Sequence, residues 1–190
     1  VLAGGRSERM GVDKGSINGH GKPQRYYMAD LLQTYCDQVY VSCRDGQQPE
    51  IDAAYASLPD TFTGLGPYGA ILSALRYQPG SAWLVVACDL PLLDGPALAE
   101  LVANRNSSAV ATAFKSPHDD LPEPLIAIWE PKSYPVLLSF LAQGYSCPRK
   151  VLINSLHHII SPSRPQTLTN VNTPDELEQI QQLLAQKTKA

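Results

Sequence analysis

Along the chain the apolar positions switch repeatedly between a spacing of about 3.6 and runs or alternations of period two, the marks of helices and strands in turn. Val1 and Leu2 read as the tail of a strand whose beginning lies upstream, so the first strand is expected to be incomplete. Tyr27, Leu31, Leu32 and Tyr35 recur at helical spacing between Pro23 and Tyr35, and "QVYVSC" follows as a strand. The Gly/Pro-rich "TFTGLGPYGA" leads into a helix carrying Ile71, Leu72 and Leu75, and "SAWLVVAC" is a continuous apolar strand of the kind buried on both faces. "GPALAELVANR", with Pro96 in its first turn, predicts a helix and "SAVATAF" a strand. "PLIAIWE" then predicts a strand, "SYPVLLSFLAQG" a helix stopped by Gly144, and "PRKVLINSL" a further helix. Thr173, Pro174 and Glu176 form a capping box that opens "PDELEQIQQLLAQK". Strands alternating with helices predict an α/β fold, a mostly parallel sheet flanked by helices, with residues 1–190 as one domain. Such sheets bind ligands beyond the carboxyl ends of their strands.

Composition narrows the chemistry. A hydrophobic share of 44%, a charged share of 17% and a net charge of −3 describe an ordinary globular chain rather than a basic nucleic-acid binder. "WLVVAC" is far shorter than the ~20 apolar residues that cross a bilayer, so no membrane partner is expected. Cys36, Cys43, Cys88 and Cys147 have neither disulfide-framework nor metal-finger spacing, which suits reduced thiols in a cytoplasmic setting. His157 and His158 are adjacent and would face opposite sides of a strand, so they suggest no metal pair.

The concentrated signal is the opening stretch "VLAGGRSERMGVDKG". Small residues after a strand let backbone N–H groups approach an anion, and Arg6, Arg9 and Lys14 add full positive charge. Phosphate is the natural guest. The spacing fits neither G-x-x-x-x-G-K-[ST] nor G-x-G-x-x-G. A flexible turn with solvated cations is the plain alternative.

"LAGGRSERMGVDKG" resembles the signature L-A-G-G-x-S-x-R-M-G-x-D-K of the molybdenum cofactor guanylyltransferases, within the wider nucleotidyltransferases that share a Rossmann-like sheet of the nucleotide-diphospho-sugar transferase type. Other substrate classes more often carry Leu-Ala-Ala-Gly, so the pair Gly4-Gly5 favours the guanylyl branch. The resemblance implies that Asp89, ending "VVACD", holds Mg²⁺ on the nucleotide phosphates, a role that suits an acid at a strand's carboxyl tip; a turn or cap acid before Pro91 is the alternative. It implies that "GLGPYGAILSAL", with Gly66, packs its backbone on the nucleotide, and that Asp60 lies near the guanine base, whose N1–H and N2–H₂ one carboxylate can accept together. An ordinary loop acid is the other reading of Asp60. "LTNVNTPDEL" is similar to the family's carboxyl-terminal motif and implies that Asn170 and Asn172, alternating on one face, lie toward the pterin substrate and the metal. The chain departs from the family in "VSCRDG", where Cys43 replaces an Asn that contacts the nucleotide; a thiol is a weak hydrogen-bond partner. Between Val110 and Ser163 the likeness is loose, with "HDDLPEPLIAIW" matching a substrate-side strand.

The resemblance thus implies an Mg²⁺-dependent nucleotidyltransferase in which a phosphate of molybdopterin attacks the α-phosphorus of GTP and pyrophosphate leaves. Both reactants are polyanions and the nucleophile is already ionised, so cations do the work rather than a general base. Arg9 and Lys14 are assigned to the triphosphate, Asp89 to Mg²⁺, and the N–H groups of Leu2, Ala3, Gly4 and Gly5 to docking the nucleotide. Asp13 either orients Lys14 or caps the loop. Proteins that deliver the cofactor are the expected transient partners. Two alternatives stay open: a nucleotidyltransferase using another phospho-acceptor or CTP, and a non-catalytic nucleotide-binding part of a longer protein.

Overall fold

The computed structural model describes residues 1–5, 14–16, 20–171 and 176. Among the described residues the elements follow one another as β1 (Val41–Cys43), β2 (Ser57–Pro59), β3 (Trp83–Val86), β4 (Ala111–Lys115), β5 (Pro122–Trp129) and β6 (His158–Ile160), with α1 (Gln24–Leu32), α2 (Pro67–Tyr77), α3 (Gly95–Ala103), α4 (Ser133–Ala142) and α5 (Pro148–Ile153). β1 pairs with β2 in parallel, and the order β3-β5-β4-β6 forms a second ladder in which β5 alone runs reversed. Residues 1–3 join the two ladders. Leu2 bridges Ser42 and Ala87 in parallel. Its N–H donates to Val86 O at 2.8 Å, while Ala3 N–H donates to Ser42 O at 3.1 Å and Ser42 N–H to Val1 O at 2.8 Å. The expected α/β class with a mostly parallel sheet is the one observed.

Alternation along the strands sorts the core into two layers. Val86, Ile126, Ile128 and Phe114 face α1 and α3 through Met28, Leu32, Leu98 and Leu101. Val85, Ala111, Ala113, Ala127 and Trp129 face the other way, against Tyr68, Ile71, Leu72 and Leu75 of α2, Leu137 of α4, and Val151 and Leu152 of α5. A two-residue side-chain period on strands covered by helices on both faces requires this division. The buried polar tips find partners: Trp129 Nε1 donates to Pro124 O at 3.1 Å, and Tyr68 Oη to Leu137 O at 2.7 Å. Burial pushes the Tyr68 phenol up to about 12, so it stays a donor.

Local chemistry sets the element ends. Asp94 caps α3, its carboxylate accepting Ala97 N–H at 3.1 Å, and also takes the Arg164 guanidinium in two bonds of 2.7 and 2.6 Å. Gly66 enters α2 at φ +55°, a left-handed conformation that strains a residue with a β-carbon. β2 and β6 are strands that sequence periodicity did not predict; three residues each, one containing a proline, are too few to display a period. The capping box at Thr173 and Pro174 lies outside the described residues, and Glu176 is helical and exposed.

Candidate active site

Parallel strands deliver their carboxyl ends to one edge of the sheet, and the reversed β5 delivers its amino end there. Across that edge lie Asp60 after β2, Arg44 after β1, Gly4 and Gly5 after residues 1–3, Asp89 after β3, Glu123 at the start of β5, and Lys115 at the end of β4. Neighbouring strands lie ~4.8 Å apart, so three spacings separate the strand lines of Asp60 and Asp89 by about 14 Å, with the glycines between them.

The glycine corner is built by close approach. A β-carbon on Gly4 would stand 3.2 Å from the Arg44 nitrogen and 3.3 Å from its Cγ, so the strand end and the Arg44 stem meet closely and would have to give by a few tenths of an ångström to admit one. Nothing lies within 4 Å of the corresponding position at Gly5. The N–H groups of Leu2 and Ala3 belong to the sheet ladder, which corrects their assignment as donors to a ligand; among the described residues, those of Gly4 and Gly5 have no hydrogen-bond partner. Beyond them, Arg6, Arg9 and Asp13 lie outside the described residues, as does the Lys14 side chain; the backbone of Lys14 opens a short 3-10 turn, Lys14–Ser16, packed against α1.

Asp60 is held from both sides. Its N–H donates to Cys43 O at 2.9 Å, and its Oδ1 accepts the Ser42 hydroxyl at 2.9 Å. The segment after it is tied to α2 by Ser73, whose Oγ accepts Thr61 N–H at 2.8 Å and Phe62 N–H at 3.2 Å while donating to Gly69 O at 2.7 Å. Burial raises the Asp60 carboxyl above its ordinary value, against the opposing pull of the Ser42 bond. Cys43 faces the core, fully buried, and burial followed by Asp60 and Glu50 pushes its thiol up. The side chain that β1 offers to the edge is therefore Ser42, one residue before the Cys43 position singled out in the sequence.

Asp89 lies half-buried on the other side of the glycines. Its carbonyl accepts Val171 N–H at 3.0 Å, which brings the exposed Asn170 alongside it. Asn172 lies outside the described residues. His20 reaches the same turn: its Nε2 is 2.8 Å from Pro91 O, and its ring stacks on Tyr27 at 3.7 Å. Among the described residues no three His, Cys, Asp or Glu side chains gather around one point. Gly66 starts α2, which packs on both β2 and β3.

The far half of the edge is charged but internally paired. Lys115 meets Asp120 at 2.8 Å, and Arg149 meets Asp119 at 2.7 Å and Glu123 at 2.9 Å. The Leu121 N–H first, then Ser116 and Arg149, hold the Asp119 carboxyl below its usual range. A cleft of about 400 Å³ opens at the opposite edge, lined by residues such as Val1, Tyr40, Trp83 and Arg105, where parallel strands begin rather than end. Among the described residues, no helix is long and apolar enough to cross a membrane.

Residues 1–159 match the model of the MobA-like NTP transferase domain. The chain is 35% identical, over 95% of its length, to the molybdenum cofactor biosynthesis bifunctional protein of Synechocystis sp., and it spans about half of that relative (52%). It is 32% identical to a probable molybdenum cofactor guanylyltransferase of Nostoc sp., covering 95% of this chain and 88% of that one. In three dimensions it is similar to molybdopterin-guanine dinucleotide biosynthesis protein A of Archaeoglobus fulgidus, with a TM-score of 0.78, 22% identity and 97% of each chain covered. An edge with a glycine corner between two strand-end acids, and a family match over most of its length, give one conclusion: the chain belongs to the MobA-like NTP transferase domain family.

Proposed function

We propose that this chain transfers GMP from GTP to the terminal phosphate of a molybdopterin acceptor, with release of pyrophosphate. The observation that carries the reading is the edge itself: Asp60 and Asp89 on strand lines about 14 Å apart, with the bare N–H groups of Gly4 and Gly5 between them. A nucleotide laid along it sets its base on Asp60 and its phosphates toward Asp89. The names carried by the Synechocystis and Nostoc relatives support molybdenum cofactor chemistry.

Asp60 receives the guanine edge, since two adjacent N–H donors match one carboxylate. The Gly4 and Gly5 N–H groups receive phosphate oxygens, and Arg44 adds a cation beside them. Arg9 and Lys14 are assigned to the triphosphate on the strength of the signature. The donors near Asp89, a carboxylate and the Asn170 amide, are hard oxygens that fit Mg²⁺ sharing its remaining positions with phosphate and water. When bound there, Mg²⁺ would supply charge neutralisation at the leaving pyrophosphate. In the transfer an acceptor phosphate oxygen forms a bond to the α-phosphorus as the α–β P–O bond breaks, and its electron pair leaves with pyrophosphate. The acceptor approaches from the side of Asn170, and Asn172 is assigned to it on the strength of the carboxyl-terminal motif alone. The reaction belongs in the cytoplasm, with cofactor-delivery proteins as transient partners, a setting consistent with cysteines that form no disulfide among the described residues.

The test incubates the chain with Mg²⁺, α-labelled GTP and molybdopterin and follows pyrophosphate and labelled dinucleotide. GTP is expected to support formation of both and CTP neither. Equal use of CTP, or no dinucleotide with any nucleotide, overturns the reading.

A further inference from the structure

Ser42 lies in β1 with its backbone bonded on both sides of residues 1–3, donating to Val1 O at 2.8 Å and accepting from Ala3 N–H at 3.1 Å. In β2, Leu58 is its parallel partner, so Asp60, two residues on, shares the face to which Ser42 points. The Ser42 hydroxyl crosses that gap and donates to Asp60 Oδ1 at 2.9 Å. Ser42 is 7% exposed. Among the described residues no other donor reaches the Asp60 carboxylate, although an ionised carboxyl can accept about four hydrogen bonds. A half-buried acid with a single side-chain partner is a poor structural element: burial drives its carboxyl upward, and only the Ser42 bond opposes this. A ligand with two parallel N–H donors would complete it.

We propose that Ser42 is a positioning residue for base selection: its hydroxyl fixes the rotation of the Asp60 carboxylate so that the acceptors left over meet guanine N1–H and N2–H together. This rests on the reading of Asp60 as the acid that receives the base. The backbone anchors make the arrangement stiff, because neither Ser42 nor Asp60 can shift without breaking a sheet bond. Ser42 touches neither phosphate nor metal. Its influence is confined to how well the base is discriminated, and loss of the hydroxyl leaves the carboxylate free to turn, which weakens two-point recognition more than one-point recognition.

The experiment is a calorimetric titration of the whole chain, in Mg²⁺, with GTP, with ITP, which lacks the 2-amino group, and with ATP. The unaltered chain is expected to prefer GTP over ITP. Ser42→Cys keeps the shape but offers a weak donor, and GTP affinity is expected to fall roughly tenfold, the scale of a lost hydrogen bond to a charged group. ITP should lose less, so the preference narrows, while ATP binding stays as it was; Ser42→Thr should restore the preference. Ser42→Ala carries the same expectation where the thiol variant does not fold. A Ser42→Cys or Ser42→Ala protein with the original GTP-to-ITP ratio overturns the positioning role. Asp60→Asn separates the two levels: if it abolishes the preference while the Ser42 variants do not, only the positioning role fails, and if it leaves the preference unchanged the base-reading assignment fails with it.

Discussion

The two halves of the sheet edge handle charge in opposite ways. Among the described residues on the side of β1 and β2, Asp60 has Ser42 as its side-chain partner and the N–H groups of Gly4 and Gly5 have none. On the side of β4 and β5, Lys115, Asp119, Asp120, Glu123 and Arg149 are already matched within the chain. The first half leaves hydrogen-bonding groups unused among the described residues; the second is organised by its own pairs. The hairpin is held by the β4–β5 ladder, and exposed pairs of this kind each contribute little to stability.

The contrast is broken most directly at Asp89. Asp89→Ala should lower pyrophosphate release from GTP more than about 100-fold, the scale for removing a group that organises transition-state charge, while the chain still melts cooperatively. A coupled pyrophosphate assay beside a thermal melt checks both. Next in size is Gly69→Ala, where a β-carbon would stand 2.1 Å from Phe62 O. The backbone of the Asp60–Gly66 loop must move to admit it, and a loss of about 2–4 kcal/mol in urea unfolding is expected.

Asp60→Asn sharpens the comparison through pH. Burial raises the folded carboxyl above the unfolded one, so the native state binds more protons, and stability falls as pH rises from the ordinary carboxylate value through the raised one. The ionised acid therefore opposes folding at neutral pH. The amide variant keeps an acceptor for Ser42, so its melting temperature at pH 7 should equal or exceed that of the unaltered chain, with this pH dependence gone and the preference for GTP over ITP lost. Smallest of all is Arg149→Ala. Its pairs are partly exposed, so the expected loss is below about 1 kcal/mol, with GTP affinity unchanged in the same titration. A weakened GTP affinity there would mean that the two halves of the edge are not separable.

The strand and helix alternation was legible because buried strands such as Trp83–Val86 and helices such as Pro67–Tyr77 carry their period in the apolar residues themselves. Asp89 and Gly66 were legible for a related reason, each marking the end of an apolar run or the start of a helix. β2 and β6 were not, because their identity comes from pairing with neighbours rather than from their own residues. Ser42 was hidden for the same reason: only the parallel register of Leu58 shows which of Ser42 and Cys43 faces Asp60. The Arg149 cluster required knowing that β5 runs backwards, since that reversal brings Glu123 to the edge. The use of the Leu2 and Ala3 N–H groups by the sheet was likewise a matter of pairing, which a loop motif does not announce.

The bond from Val171 N–H to Asp89 O links residues 82 positions apart. During synthesis the turn that carries Asp89 leaves the ribosome well before the stretch that covers it. A nascent chain can thus complete its first βαβ layers and still lack this backbone partner of the acid. Any reaction that depends on Asp89 and Asn170 together must wait for that later stretch to arrive, so its emergence from the ribosome, rather than folding of the early strands, sets the moment at which the two can act as a pair.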